Sequence, residues 1–112
     1  MMKLMTTHQE ITHSELNDLL ASGAELTILD VRESDELENG MIPGAIHVPM
    51  GEVPEQYRQF DARKPLIVVC RSGARSARVT QFLAMQGFPD VRNLTGGMNT
   101  WAAEIDPSIT IY

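Results

Sequence analysis

The sequence predicts an α/β domain in which helices flank both faces of a central, mainly parallel sheet. Short apolar runs alternate with helical segments along the chain, which is typical of this fold class. Residues 26–31 and 66–69 are almost continuously apolar, as strands buried on both faces of a parallel sheet are. The length of 112 residues suits one domain. We expect residues 1–112 to form it, with a short flexible tail at 1–9.

The first half of the chain is expected to contain a capped helix, two strands and an acidic turn. Thr12 and Glu15 have the spacing of a capping box, and leucines follow at helical spacing. Residues 26–31 and 45–48 are predicted strands, and residues 32–40 between them are a short acidic turn of helix. The carboxylates of this turn are predicted to be a solvated face, with a docking surface as the alternative. They stand at positions 33, 35, 36 and 38.

The second half continues the alternation of strands and helices. Residues 52–60 are predicted to be a helix, and residues 66–69, the most apolar run, a strand at the centre of the sheet. Apolar residues then recur at helical spacing over residues 74–87, which indicates an amphipathic helix ending at a glycine. Residues 91–94 are predicted to be a last short strand, and residues 98–104 a final helix.

Composition and motifs exclude several classes of function. The net charge of −6 disfavours nucleic acid and anionic membranes as partners. No apolar run approaches a membrane span, and the N-terminal residues lack the apolar core of a signal peptide, so we expect a cytoplasmic protein. The glycine-rich motifs of nucleotide-binding loops and the His-Glu-x-x-His motif of zinc proteases do not occur in the sequence. We therefore expect no metal site and no cofactor.

Cys70 is the only cysteine in the chain and stands where the central strand is predicted to end. In open α/β sheets, sites lie beyond the carboxyl ends of the strands, where loops lead into helix N-termini. Free amides and the dipole of such a helix, together with Arg71 and Arg75, favour an anion there. That anion can be the thiolate of Cys70 itself, because helix N-termini and nearby cations lower the pKa of a thiol.

Less demanding interpretations of these residues exist. A free cysteine is often an inert, buried strand residue, and the residue types of the loop fit a bound phosphate as well as a thiolate. The two arginines and the glycine that follow Cys70 favour the reactive interpretation. His8 and His13 are predicted to be surface residues, and His47 a core or edge histidine whose ring is satisfied by a hydrogen bond.

Four motifs, occurring in the family's order along the chain, resemble the rhodanese-like, single-domain sulfurtransferases. They are residues 29–33 (LDVRE), residues 40–47 (GMIPGAIH), the Cys70 loop and residues 94–97 (LTGG). The resemblance covers almost the whole chain. It implies a three-layer α/β fold around a mainly parallel sheet, and an enzyme of the thiosulfate sulfurtransferase (rhodanese) type.

The resemblance also implies roles for individual residues. Cys70 would accept a sulfane sulfur from a small anionic donor such as thiosulfate, become a persulfide, and pass the sulfur to a thiophilic acceptor. Arg71 and Arg75 would bind the donor and favour departure of sulfite. The loop around the persulfide would consist of Arg71, Ser72, Gly73, Ala74 and Arg75. The residues expected to support this loop are Asp30, Arg32 and Ser76.

Two residues and the C-terminal segment, all outside the loop, bear on this interpretation. Met41 stands where the family often has a histidine, which leaves the cysteine chemistry untouched, and Glu33 is expected at the surface. Residues 101–112 resemble the tail of rhodanese domains fused to adenylyltransferases that load sulfur onto ubiquitin-like carrier proteins. A thiol or a sulfur-carrier protein is therefore the expected acceptor.

Two alternatives remain: a phosphatase or arsenate reductase of the same fold, and a non-catalytic rhodanese-like binding module. Phosphatases of this architecture place five residues between the cysteine and the arginine of the loop. In this chain four residues, 71–74, separate Cys70 from Arg75. The shorter loop suits one sulfur atom better than a phosphoryl group, and binding modules usually lack the cysteine. Both observations favour sulfur transfer.

Overall fold

The computed structural model describes residues 9–112, which form a five-stranded sheet with helices on both faces and confirm the predicted α/β class. The strands are β1 (Gln9–Ile11), β2 (Thr27–Asp30), β3 (Ile46–His47), β4 (Leu66–Val69) and β5 (Val91–Leu94). The α-helices are α1 (His13–Ala21), α2 (Val53–Gln56), α3 (Ala74–Met85) and α4 (Gly97–Glu104). Short 3₁₀ segments lie at Ser34–Asn39, Met50–Glu52 and Tyr57–Gln59.

The sheet has the order β1-β5-β4-β2-β3, and the strands that the structure describes all pair in parallel. β4 lies at the centre, as its apolar composition predicts, and its four residues are buried. Because the strands point the same way, the loops that follow β2, β4 and β5 meet at one edge of the sheet. This edge is where the sequence places its candidate site.

The edge strand β1 departs from the prediction. Sequence reasoning assigns Gln9 to a flexible tail, whereas Gln9 pairs with Arg92 at the start of a parallel ladder with β5. The rest of the tail prediction, and the surface prediction for His8, fall on residues 1–8, which lie outside the described residues. β1 contains three residues and buries only Ile11, so it has too few residues for a recognisable two-residue period.

The two faces of the sheet carry separate hydrophobic cores. On one face, Trp101 of α4 packs in a buried cluster with Ile67 of β4. On the other, Val79 of α3 packs in a second cluster with Val68. Successive residues of β4 thus alternate between the faces, as the geometry of a strand requires. Cys70 belongs to the second cluster, so its side chain lies on the face covered by α3.

Local signals in the sequence are mostly confirmed. Thr12 caps α1 in a reciprocal capping box, with the Glu15 N–H donating to its hydroxyl at 3.1 Å and its own N–H donating to Glu15 Oε1 at 2.9 Å. The predicted helix at 52–60 is instead the single turn of α2 between 3₁₀ segments. Met85 does not join the apolar face of α3, because 64% of it is exposed.

The residues after α4 run back along the acidic turn. Ile109 is buried in the core, and the N–H of Thr110 donates to the carbonyl of Asn39 at 2.8 Å. The N–H of Tyr112 donates to Asn99 Oδ1 at 3.1 Å, and Asn99 Nδ2 donates to the Tyr112 carbonyl at 3.0 Å. These contacts place Tyr112 beside the acidic turn and the first turn of α4.

None of the helices within residues 9–112 is long and apolar enough to cross a bilayer. The longest of them, α3, has 12 residues, whereas a membrane span needs about 20. The cytoplasmic location stays a prediction.

Candidate active site

Cys70 follows β4 directly, at the carboxyl edge of the sheet. The residue is buried, with 1% of its surface exposed. The N–H of Gly73 donates to its Sγ at 3.1 Å, and the hydroxyl of Ser76 lies 3.2 Å from the same atom. The sulfur therefore lies among hydrogen-bond donors, which distinguishes it from an inert cysteine at the end of a strand.

The first turn of α4 holds the backbone of the Cys70 loop in this orientation. The N–H of Met98 donates to the carbonyl of Cys70 at 2.8 Å, and the N–H of Asn99 donates to the carbonyl of Arg71 at 3.0 Å. The lack of a side chain at Gly97 permits this close approach, because a Cβ at that position would lie 2.5 Å from the Arg71 carbonyl oxygen. Because these carbonyls face α4, the amides of the next residues are free to face the sulfur.

Gly73 completes the turn into α3. Its φ of 106° lies in the left-handed region, where glycine has no steric penalty. Burial raises the pKa of the Cys70 thiol, but hydrogen bonds from the Ser76 hydroxyl and from the amides of Ser76, Gly73 and Ser72 outweigh burial and leave the pKa below its ordinary value. The arrangement favours the thiolate, as a nucleophilic cysteine requires.

Ser76, predicted to support the loop, has two acceptors for its single hydroxyl proton. One is the sulfur of Cys70, and the other is Asn93 Oδ1, at 2.5 Å. Asn93 cannot easily exchange its amide nitrogen and oxygen, because its Nδ2 donates to the carbonyl of Gly73 at 3.1 Å and to the carboxylate of Glu10. The hydroxyl of Ser76 can thus donate its proton either to Asn93 Oδ1 or to Cys70 Sγ.

Sequence reasoning missed Asn93. It lies in β5, one of the strands flanking β4, and is buried, with 4% of its surface exposed. The one signal in the sequence is an amide residue inside the predicted strand 91–94, since buried polar side chains need partners.

Arg75 pairs with Glu36, one of the carboxylates that the sequence predicts to lie on a solvated face. Its Nη1 lies 2.7 Å from Glu36 Oε2 and its Nη2 lies 2.9 Å from Oε1, which is a bidentate ion pair. The solvated-face prediction is wrong for Glu36, whose side chain is 16% exposed, while Glu33, Asp35 and Glu38 are exposed as expected. The carboxylate of Glu36 therefore largely neutralises the positive charge that Arg75 could offer to an anion.

The Glu36–Arg75 pair gives a stability that depends on pH. The hydrogen bonds from Arg75 lower the pKa of Glu36 from 4.5 to about 2. This contribution is fully present above pH 4.5 and is lost as the pH falls through about 2. We expect Glu36→Gln to lower the free energy of unfolding by about 1 kcal/mol at neutral pH, since the pair is partly exposed. Urea denaturation of both proteins at a series of pH values measures the difference.

Glu38→Gln, an exposed position on the same turn, is the control for this measurement. It should leave the stability unchanged at every pH. The difference between the parent and Glu36→Gln should shrink as the pH is lowered from 4.5 toward 2. A difference that stays constant over that interval contradicts the ion pair.

Arg71 is exposed and lies against the ring of Tyr112. Its Cζ lies 5.0 Å from the centroid of the Tyr112 ring, over the ring. Within residues 9–112 its side chain makes no hydrogen bond or ion pair. Of the other predicted loop residues, Ser72 and Ala74 are exposed, and Gly73 is half-buried. Of the predicted loop, the structure thus directs the amides of Ser72 and Gly73 at the Cys70 sulfur. It leaves Arg71 without an ionic partner in the described chain.

Asp30 and Arg32, predicted to support the loop, form a fully buried ion pair. Arg32 Nη2 lies 2.8 Å from Asp30 Oδ2, and neither side chain is exposed. The remaining donors of Arg32 reach the carbonyl of Gly40 at 2.8 Å and the hydroxyl of Tyr112 at 3.2 Å. The pair therefore holds the acidic turn that carries Glu36, and its contact with the Cys70 loop is indirect.

The histidines take the places predicted for them within the described chain. His47 Nε2 lies 2.7 Å from the carbonyl oxygen of Arg32, so the ring is satisfied at the end of β3. His13 is half-buried at the surface, with 27% of its side chain exposed, and lies 3.9 Å from Glu104. Neither of these two histidines forms a hydrogen bond with Cys70, so among residues 9–112 no histidine is placed to act as its base.

Comparison with known proteins agrees with this geometry. A sequence profile of the Rhodanese-like domain matches residues 12–104. The chain is 41% identical over 99 residues to the putative sulfurtransferase YtwF of Bacillus subtilis (strain 168), covering 88% of this chain and 95% of that protein. It is 36% identical over 96 residues to the thiosulfate sulfurtransferase GlpE of Coxiella burnetii (strain RSA 331 / Henzerling II), covering 86% and 89%.

The fold has a close match among solved structures. The crystal structure of a rhodanese-related protein from Thermoplasma volcanium superimposes with a TM-score of 0.81 at 30% identity. The match covers 94% of this chain and 100% of that one. The predicted three-layer fold and the family resemblance are both confirmed.

Proposed function

The chain belongs to the Rhodanese-like domain family, and on that basis we propose that it is a sulfurtransferase that carries sulfur as a persulfide on Cys70. One observation carries the proposal: amides of the loop and the Ser76 hydroxyl converge on a single sulfur atom. Donors arranged in this way stabilise negative charge on the thiolate before reaction. The terminal sulfur of a persulfide anion bears the same charge, so the same kind of donors suits the intermediate.

In the proposed first step, the Cys70 thiolate attacks the outer sulfur of thiosulfate. A sulfur–sulfur bond to Cys70 forms, the sulfur–sulfur bond of thiosulfate breaks, and its electron pair leaves on sulfite. Charge and atoms balance without an oxidant or a metal. Arg71 is the cation we assign to the anionic donor, because its guanidinium has no carboxylate partner within residues 9–112, whereas Arg75 is bound to Glu36.

In the proposed second step, a nucleophile on the acceptor attacks the terminal sulfur of the persulfide. The bond between this sulfur and Cys70 Sγ breaks, its electron pair returns to Sγ, and the thiolate is regenerated. The acceptor must come from another molecule, since the chain has one cysteine. We assign this role to a thiol or to a sulfur-carrier protein.

Incubation of the protein with thiosulfate tests the proposal. Intact-mass spectrometry should reveal an adduct with the mass of one sulfur atom, which a thiol such as dithiothreitol then removes. A phosphatase assay with an aryl phosphate on the same preparation tests the main alternative. Phosphate release without sulfur uptake would establish a phosphatase and overturn the proposal. Absence of both activities would overturn it in favour of a binding module.

A further inference from the structure

Tyr112 contacts several charged residues around the site. Its ring lies under the Arg71 guanidinium, with 5.0 Å between Cζ and the ring centroid. Its hydroxyl donates to Glu36 Oε1 at 2.7 Å and accepts from Arg32 Nη1 at 3.2 Å. The Tyr112 side chain thus contacts one member of each of two ion pairs, and also the exposed arginine next to Cys70. The pairs are Asp30–Arg32 and Glu36–Arg75, and the arginine is Arg71.

The backbone of Tyr112 is fastened to the loop as well. Asn99 exchanges two hydrogen bonds with the main chain of Tyr112, at 3.0 and 3.1 Å. The N–H of the same Asn99 donates to the Arg71 carbonyl at 3.0 Å. Asn99 therefore links the main chain of Tyr112 to the main chain of Arg71. These hydrogen bonds fix the position of the Tyr112 ring relative to the backbone of Arg71.

The contact with the ring restrains Arg71 without occupying its hydrogen-bond donors. A cation over the face of an aromatic ring is held by the ring quadrupole, and the N–H groups of a guanidinium stay available to a planar or tetrahedral anion. An exposed arginine without such a contact loses rotamer freedom when it binds a ligand. Restraint before binding reduces that loss.

We propose that Tyr112 is a positioning residue, which holds the guanidinium of Arg71 beside the Cys70 loop for the anionic sulfur donor. The proposal rests on the proposed sulfur transfer and concerns how the donor is recognised. Tyr112 touches neither Cys70 nor the sulfur that is transferred, so it acts on donor binding through Arg71. Removal of the ring should raise the donor concentration at which sulfur uptake is half-maximal and leave the maximal rate of uptake nearly unchanged.

The test compares Tyr112→Met, which removes the ring, with Tyr112→Phe, which keeps it. The readout is the rate of sulfur uptake from thiosulfate, followed by intact mass at increasing thiosulfate concentration. Tyr112→Met should raise the half-saturating concentration about three- to tenfold, with less than about a twofold change in maximal rate. Tyr112→Phe should stay within about twofold of the parent. Ile111→Ala, at an exposed neighbour, is the control.

A double-mutant cycle distinguishes an effect of Tyr112 that acts through Arg71 from a general structural effect of the substitution. In the background of Arg71→Ala, Tyr112→Met should cause no further rise in half-saturation. An equal rise in both backgrounds, or a Tyr112→Phe that matches Tyr112→Met, overturns the proposal. A parent protein that takes up no sulfur instead refutes the proposed function, whereas a parent that loads normally beside an unaffected Tyr112→Met refutes only the positioning role.

A measurement on the unmodified protein covers the case in which Tyr112→Met does not fold. The δ protons of Arg71 should show a ring-current shift in the proton NMR spectrum, because the side chain lies over the Tyr112 ring. Chemical shifts of a freely rotating arginine would overturn the proposal.

Discussion

Cys70→Ser is expected to abolish sulfur uptake from thiosulfate and all transfer to an acceptor. A serine hydroxyl stays protonated in surroundings that favour a thiolate, and it is a far weaker nucleophile toward sulfur. We expect the rate to fall at least about a thousandfold, as removal of a covalent nucleophile generally does. Intact mass after incubation with thiosulfate and formation of thiocyanate from cyanide are the two measurements.

The same substitution should change the free energy of unfolding by less than about 1 kcal/mol, because oxygen replaces sulfur among groups that also donate to oxygen. Met85→Ser, an exposed position at the far end of α3, is the matched control and should retain full activity. A Cys70→Ser protein that still turns over would refute the persulfide mechanism. A large loss of stability would show that the sulfur has mainly a packing role.

Arg32→Ala is expected to be the most destabilising of the substitutions considered. It leaves the carboxylate of Asp30 buried without its partner, and such a loss costs about 3–5 kcal/mol. The chain contains a control with the same local geometry. Arg63 binds Asp61 through the same two-residue spacing, with 3.0 Å between Nε and Oδ1, but its side chain is 91% exposed.

Urea denaturation of both variants tests the effect of burial on this Asp-x-Arg arrangement. Arg63→Ala should cost far less than Arg32→Ala, because solvent screens the exposed pair. The double variant Asp30→Asn/Arg32→Met should recover part of the loss caused by Arg32→Ala, since it also removes the unpaired charge. Equal costs at Arg32 and Arg63 would contradict this account.

The parts of the molecule that depend on neighbouring residues could be predicted from the sequence. The apolar run of β4 marks the central strand, and Cys70 follows it directly, so the position of Cys70 and its loop could be predicted from local sequence. The capping box of α1 was predictable for the same reason. Each of these features depends on residues within about one helical turn of one another.

The partners of the loop could not be predicted in this way. Glu36 contacts Arg75 across 39 positions of the sequence, and Asn93 contacts Ser76 across 17. Glu36 sits among exposed carboxylates on a short turn, and nothing in that local pattern distinguishes it from Glu33 or Glu38. Only the arrangement of strands in the sheet decides which of these side chains meets the loop.

The contacts around Cys70 have a consequence for how the protein folds. Glu10 reaches Asn93 across 83 positions, and Tyr112 reaches Glu36 across 76, so the site closes only when distant segments of the chain have come together. Folding that depends on contacts of such high sequence separation is slow, because the intervening loops must close before the contacts can form. A nascent or partly unfolded chain therefore lacks these contacts, and the surroundings described for the Cys70 loop are complete only once the whole domain has assembled.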